Sequence, residues 1–134
     1  MPVKACTGTC SSGACRGDGD LLDLFTEDVQ AYFPKIGTTR GKAELVQLVQ
    51  RLSRAVPRFA HDPTLMVFTR EGSRLVVEGT ESGVFADGTP WPAGARSEGR
   101  YCNVFDFQGP LIRRLHIYVD PDFAGRFDDL FPGP

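Results

Sequence analysis

Three polar side chains stand where the surrounding pattern calls for apolar ones: His61, Glu81 and Asn103. Beyond Pro57 the chain alternates with a period of two, which sends successive side chains to opposite faces of a strand. Leu115, Ile117 and Val119 share one face of the last alternating run; Arg114, His116, Tyr118 and Asp120 share the other. Tyr101, Asn103, Phe105 and Phe107 fall together in the run before it. Earlier sets are Leu75, Val77, Gly79, Glu81, Gly83 and Phe85, and Phe59, His61, Pro63, Leu65 and Val67. Burying an unpaired polar group costs roughly 1–3 kcal/mol, so the three polar residues need partners. A turn near Gly72 sets His61 opposite a residue at about 81–84, and a loop centred on Trp91 sets Glu81 opposite about residue 101, beside Asn103. The three would form a polar line across an apolar sheet face, which is the make-up of a small-molecule pocket.

The chemistry such a line supports is general acid–base catalysis. His61 would move the proton, because imidazole exchanges protons near neutral pH. Glu81 would orient or charge it. Asn103 would donate to a developing oxyanion, with Tyr32 or Tyr101 assisting. The lining expected around them is Tyr32, Phe33, Trp91, Tyr101, Phe105 and Ile117. Simpler accounts exist for each residue. An inward histidine is often satisfied by a backbone carbonyl, and a glutamate near two glycines can mark a bulge that turns it to solvent.

The elements that must position these groups are readable in outline. Leu21, Leu22, Leu24 and Phe25 predict a short amphipathic helix ending near Asp28, followed by a β-prone run from Val29 to Phe33 that Pro34 closes. Leu45, Leu48, Val49, Leu52 and Val56 recur at helical spacing and predict a second helix, stopped by Pro57. Four strands are then expected, over Phe59–Phe68, Leu75–Phe85, Ser97–Phe107 and Ile112–Val119. Turns are expected at Glu71-Gly72-Ser73 and Gln108-Gly109-Pro110, with a longer loop from Asp87 to Gly94. Helices first and a meander after them predict an α+β fold, with the helices on one face of an antiparallel sheet.

The totals bound the function. The 134 residues suffice for one domain. With 15 basic and 17 acidic residues the formal net charge is −2, which argues against nucleic acid as a partner. No apolar run approaches the roughly 20 residues that span a bilayer, so no membrane partner and a cytoplasmic location are expected. Residues 1–20 are rich in Gly, Ser, Thr and Cys and are expected to be poorly ordered, with the packed domain at 21–122 and a tail at 123–134.

An ordered set of short stretches resembles the SnoaL-like polyketide cyclases of the nuclear transport factor 2-like superfamily. These stretches are Leu22-Asp23-Leu24-Phe25-Thr26-Glu27-Asp28-Val29, Arg40-Gly41-Lys42-Ala43-Glu44-Leu45, Pro92-Ala93-Gly94-Ala95-Arg96, Val104-Phe105-Asp106-Phe107, and Ile112 to Pro121. The resemblance covers residues 20–122 and implies a curved sheet wrapped by helices into a cone with an apolar interior. It also implies cofactor-free cyclisation, isomerisation or dehydration of a hydrophobic, oxygenated molecule. The family's residues carry over only in part. Where ketosteroid isomerase has a general-base Asp, this chain has Phe33 before Pro34. Asn103 matches an oxyanion-hole Asp of that enzyme. Ile117 stands where limonene epoxide hydrolase carries an acid, and His61 is similar in position to a catalytic His of scytalone dehydratase. The family's first helix, often with a catalytic Tyr, would fall at Met1–Asp18, which has no Tyr.

The reading is therefore a cone domain for a small hydrophobic molecule, without metal or cofactor. The alternative is a non-catalytic ligand-binding or dimerisation module of the same fold. Cys6, Cys10 and Cys15 lack the paired spacing of a zinc site. Cys102, Val104, His116 and Tyr118 make the outer sheet face mixed and partly apolar, as a homodimer interface would be.

Overall fold

The structure, a computed structural model, describes residues 21–92, 98–122 and 125–131. The apolar residues that hold it together come from one strand and one helix. Strand β1 (Phe25–Phe33) turns Phe25, Val29, Ala31 and Phe33 inward, all buried. Helix α1 (Gly41–Ala55) answers with Leu45 and Leu48. Strand β2 (Gly37–Arg40) joins the two and pairs antiparallel with β1. Arg40 begins the helix without a side-chain cap of its own; its amide donates to the Glu44 carboxylate at 2.7 Å, which ties the first turn to the end of β2.

The rest of the chain builds one strongly bent sheet. Its strands are β3 (Arg58–His61), β4 (Val67–Glu71), β5 (Arg74–Val84), β6 (Pro90–Trp91), β7 (Arg100–Gln108) and β8 (Leu111–Val119). The order runs β2-β1-β8-β7-β5-β3, with β4 and β6 also on β5. Strands β4, β5, β7 and β8 form the expected antiparallel meander, with tight turns at Gly72 between β4 and β5 and at Gly109 between β7 and β8, both at positive φ. Leu115, Ile117 and Val119 pack toward the β1–α1 core, as the alternation predicts.

Several expectations change. Instead of a helix reaching Asp28, only a helical turn is seen at 21–22, and β1 starts at Phe25. Leu21 and Leu24 are about half exposed, so their spacing does not face the core; pairing with β2 and β8 overrides the local signal. β1 runs parallel to β8, so the sheet is mixed and not wholly antiparallel. Among the described residues α1 is the one α-helix longer than a turn. The strand expected over 59–68 is broken. Asp62 accepts from the amide and hydroxyl of Thr64 at 2.9 and 2.6 Å, and a 3-10 turn fills Pro63–Leu65. The break strands the intended inward face: Phe59, Leu65 and Val67 are each more than half exposed. No described helix is long and apolar enough to cross a membrane.

Leu48 is 2% exposed and Val49 is 42% exposed, although they are neighbours. Leu48→Ala should lower the unfolding free energy by about 2–5 kcal/mol, and Val49→Ala by less than about 1. Urea denaturation of the two variants measures the difference.

Candidate functional site

Strand β5 carries the site because it has neighbours on both edges. Its second half pairs with β3, and in that ladder His61 lies directly opposite Glu81. Residues so placed have Cβ atoms about 5 Å apart, within reach of a side-chain bond. The His61 Nε2 meets Glu81 Oε2 at 2.8 Å, with the side chains 30% and 15% exposed. The glutamate therefore does not turn to solvent, despite the glycines on either side of it. Two aromatic rings flank the imidazole edge-on: Phe59 at 5.4 Å and Tyr101 at 4.8 Å between centroids.

Tyr101 owes its place to a missing side chain. It lies opposite Gly79, where an added Cβ would stand 2.8 Å from the phenol oxygen and 2.9 Å from the ring. Only glycine lets the ring lie flat on β5. Gly83 does the same for Trp91: a Cβ there would be 2.5 Å from the indole nitrogen. Both aromatics are nearly buried. Burial, then the charge of Glu81, pushes the Tyr101 phenol above its ordinary value, so it remains a proton donor.

A cavity of about 490 Å³ opens on this pair, lined among others by His61, Asp62, Thr80, Glu81, Ser82 and Glu98. The Thr64 hydroxyl, then its amide, holds the Asp62 carboxyl below the usual carboxylate range.

The expected polar line is only partly continuous. Tyr101 pairs with Gly79 and not with Glu81, whose amide donates instead to the Gly99 carbonyl at 2.8 Å. The offset arises because Pro90–Trp91 occupies the last β5 positions, opposite Gly83 and Val84, so β7 joins further back. Asn103 therefore pairs with Val77. Glu81 is four positions along the strand from Val77, a distance of about 13 Å, too far for a direct bond. Asn103 shares the inner face with Tyr101, and its Oδ1 is buried without a partner.

The expected lining divides. Tyr101 is at the site, and Trp91 lies against Gly83, two positions along β5 from Glu81. Phe105 is on the inner face, stacked on Phe107 with centroids 6.3 Å apart. Phe33 and Ile117 belong to the packed β1–α1 core. Tyr32 points the other way: Val29, Ala31 and Phe33 take the inner face, leaving Tyr32 on the outer one. There it contacts the rings of His116 and Tyr118, 5.6 and 6.0 Å away. Burial, then the charge of Arg114, holds the His116 imidazole below its ordinary value. Cys102 is also on this face, half-buried, its thiol pushed up by burial and by Glu78. Cys6, Cys10 and Cys15 lie outside the described residues.

The sheet order and the bent β5 are those of a known architecture. The model of the SnoaL-like domain matches residues 16–115. The chain belongs to that family. Solved structures agree on the nuclear transport factor 2-like fold. An NTF2-like protein of Anabaena variabilis is 24% identical, with a TM-score of 0.65 over 78% of this chain and 75% of its own. TerC, co-crystallized with polyporic acid, is 19% identical, with a TM-score of 0.63 over 77% and 78%. A provisional polyketide cyclase of Sinorhizobium meliloti is 18% identical, with a TM-score of 0.59 over 78% and 84%. No curated protein matches the sequence.

The SnoaL-like site makes a steric prediction. Gly79→Ala should displace Tyr101 and destabilise the fold by about 1–3 kcal/mol. Because the two residues touch, Gly79→Ala added to Tyr101→Ala should cost less than the sum of the single changes. A double-mutant cycle from thermal unfolding checks this.

Proposed function

We propose that this SnoaL-like domain binds a small hydrophobic ketone or polyketide-like molecule and acts on it by cofactor-free acid–base chemistry. The observation that carries the reading is the half-buried His61–Glu81 pair against the Tyr101 ring. With Nε2–H donated to Glu81, the neutral imidazole keeps a lone pair on Nδ1, which makes that nitrogen the base. The carboxylate steadies the imidazolium formed when a proton is taken from carbon next to a carbonyl. Tyr101, kept protonated, donates to the oxygen as it gains charge. Asn103 is too far along the sheet to share that atom and serves a second oxygen of a longer ligand. The same steps, with a suitable electrophile or leaving group in the ligand, give isomerisation, aldol-type cyclisation or dehydration. The polyporic acid co-crystallized with TerC and the provisional cyclase among the similar folds support this substrate class.

A thermal-shift screen of small aromatic and steroidal ketones should find ligands that raise the unfolding temperature, since binding stabilises by mass action. Exchange of the ligand's α-hydrogens for deuterium, followed by NMR, reads the chemistry. His61→Gln should slow that exchange by about 100-fold or more while binding persists. Unchanged exchange would remove His61 from the reaction.

A second reading, a non-catalytic ligand-binding or dimerisation module, is favoured by one observation. Tyr118 is 48% exposed beside Tyr32 and His116, giving the outer face an apolar, aromatic centre. On this reading the chain sediments as a homodimer that Tyr118→Asp dissociates, and ketones bind without α-hydrogen exchange.

A further inference from the structure

A second concavity, of about 950 Å³, lies on the opposite side of the sheet from the His61 site. One register row crosses five strands there: Arg40 on β2, Gln30 on β1, Arg114 on β8, Asp106 on β7 and Arg74 on β5. Arg113 joins the row through a fault in the ladder. Asp106 pairs with Arg114 and Phe107 with Ile112, so Arg113 is an extra residue on β8. Consecutive strand residues normally face opposite ways, but a bulge breaks the alternation and re-aims a side chain. Arg113 and Arg114 accordingly line the same cavity.

The charges there are unequally satisfied. Arg74 donates from Nε and Nη2 to the two oxygens of Asp106, at 2.7 and 3.2 Å. Arg114 Nε stands 3.0 Å from Asp106 Oδ2 but lacks the alignment of a hydrogen bond. The Arg74 hydrogen bond, then the charge of Arg114, holds the Asp106 carboxyl below its usual range, so it stays ionised and orders both guanidinium groups. Among the described residues no carboxylate pairs with the side chain of Arg40 or Arg113. Like charges gathered on one sheet face repel unless an anion lies between them.

We propose that this groove binds a compact, doubly charged oxyanion: a phosphate group, free or carried as a monoester on a small molecule. The forks of Arg40 and Arg113 are the free donors, and a guanidinium matches phosphate geometry with paired hydrogen bonds. Arg74 and Arg114, already held by Asp106, supply charge without having to be ordered. Asp28 and Glu71, which line the same groove, oppose an extended polyanion and limit the site to a compact group. The volume beyond the arginines leaves room for an organic portion. The site is independent of the acid–base reading, because it shares no residue with the His61 cavity.

Calorimetric titration with inorganic phosphate and with phenyl phosphate, at ionic strength fixed by chloride, tests this. Saturable binding is expected, and tighter binding of phenyl phosphate would identify the monoester as the preferred source. Arg113→Ala and Arg40→Ala should each weaken it about tenfold. Arg113→Lys should retain part of it, and Glu71→Gln should strengthen it. Absence of saturable binding overturns the proposal, as does binding that ignores all four changes. Arginine variants that alter sedimentation but not phosphate binding also overturn it, and assign the face to a second copy of the chain.

Discussion

The structure depends on strand β5 serving two sets of partners with one continuous backbone. Residues Arg74–Glu78 pair with β4 and Glu81–Val84 with β3, while the other edge passes from β7 to β6. A strand can change partners this way only if it bends, and bending crowds the side chains on its inner face. Gly79 and Gly83 relieve the crowding at two points, and Tyr101 and Trp91 fill the space left. Glu81 lies between those two glycines. Its position opposite His61, beside the Tyr101 ring, follows from the same bend that closes the sheet around an interior. The site and the curvature are one feature.

The two faces of the sheet solve different electrostatic problems. Inside, a single carboxylate and a single imidazole satisfy each other at 2.8 Å in a largely aromatic surround. An unpaired charge there would be costly. Outside, Asp106 meets two arginines while two more remain without a carboxylate partner among the described residues. Water and counter-ions screen such an excess, and a bound anion removes it. The bulge at Arg113 leaves the inner face undisturbed, because Leu115, Ile117 and Val119 resume the alternation beyond it.

Much of this arrangement was legible in the residues. The period of two after Pro57 located β5, β7 and β8, and hairpin counting from Gly72 set His61 across from a residue at about 81–84, a range that includes its partner Glu81. Local patterns misled where tertiary pairing decides the outcome. Leu21, Leu22, Leu24 and Phe25 have helical spacing, yet parallel pairing with β8, a long-range contact, draws Phe25 into a strand. Phe59–Phe68 alternates well, but the Asp62–Thr64 turn chemistry interrupts it. Tyr32 is expected among the pocket lining, but Val29, Ala31 and Phe33 define the buried parity of β1 and leave it outside. The distance between Asn103 and Glu81 depends on the two-residue strand at Trp91, which is too short to leave a periodic signal. The arginine groove had one sequence sign, the adjacent Arg113-Arg114 pair in an otherwise alternating strand. Its meaning appears only with the bulge.

The central claim is that β5 holds His61 and Glu81 together as one hydrogen-bonded unit in the folded protein. Long-range proton–nitrogen NMR correlation of the imidazole tests it most directly, because it reports which ring nitrogen carries the proton. At about pH 8, where imidazoles are ordinarily neutral, the account predicts His61 as the Nε2–H tautomer, averaging between tautomers once Glu81 is changed to Gln. A His61 ring that already averages, or that carries its proton on Nδ1 in the unaltered protein, would contradict it.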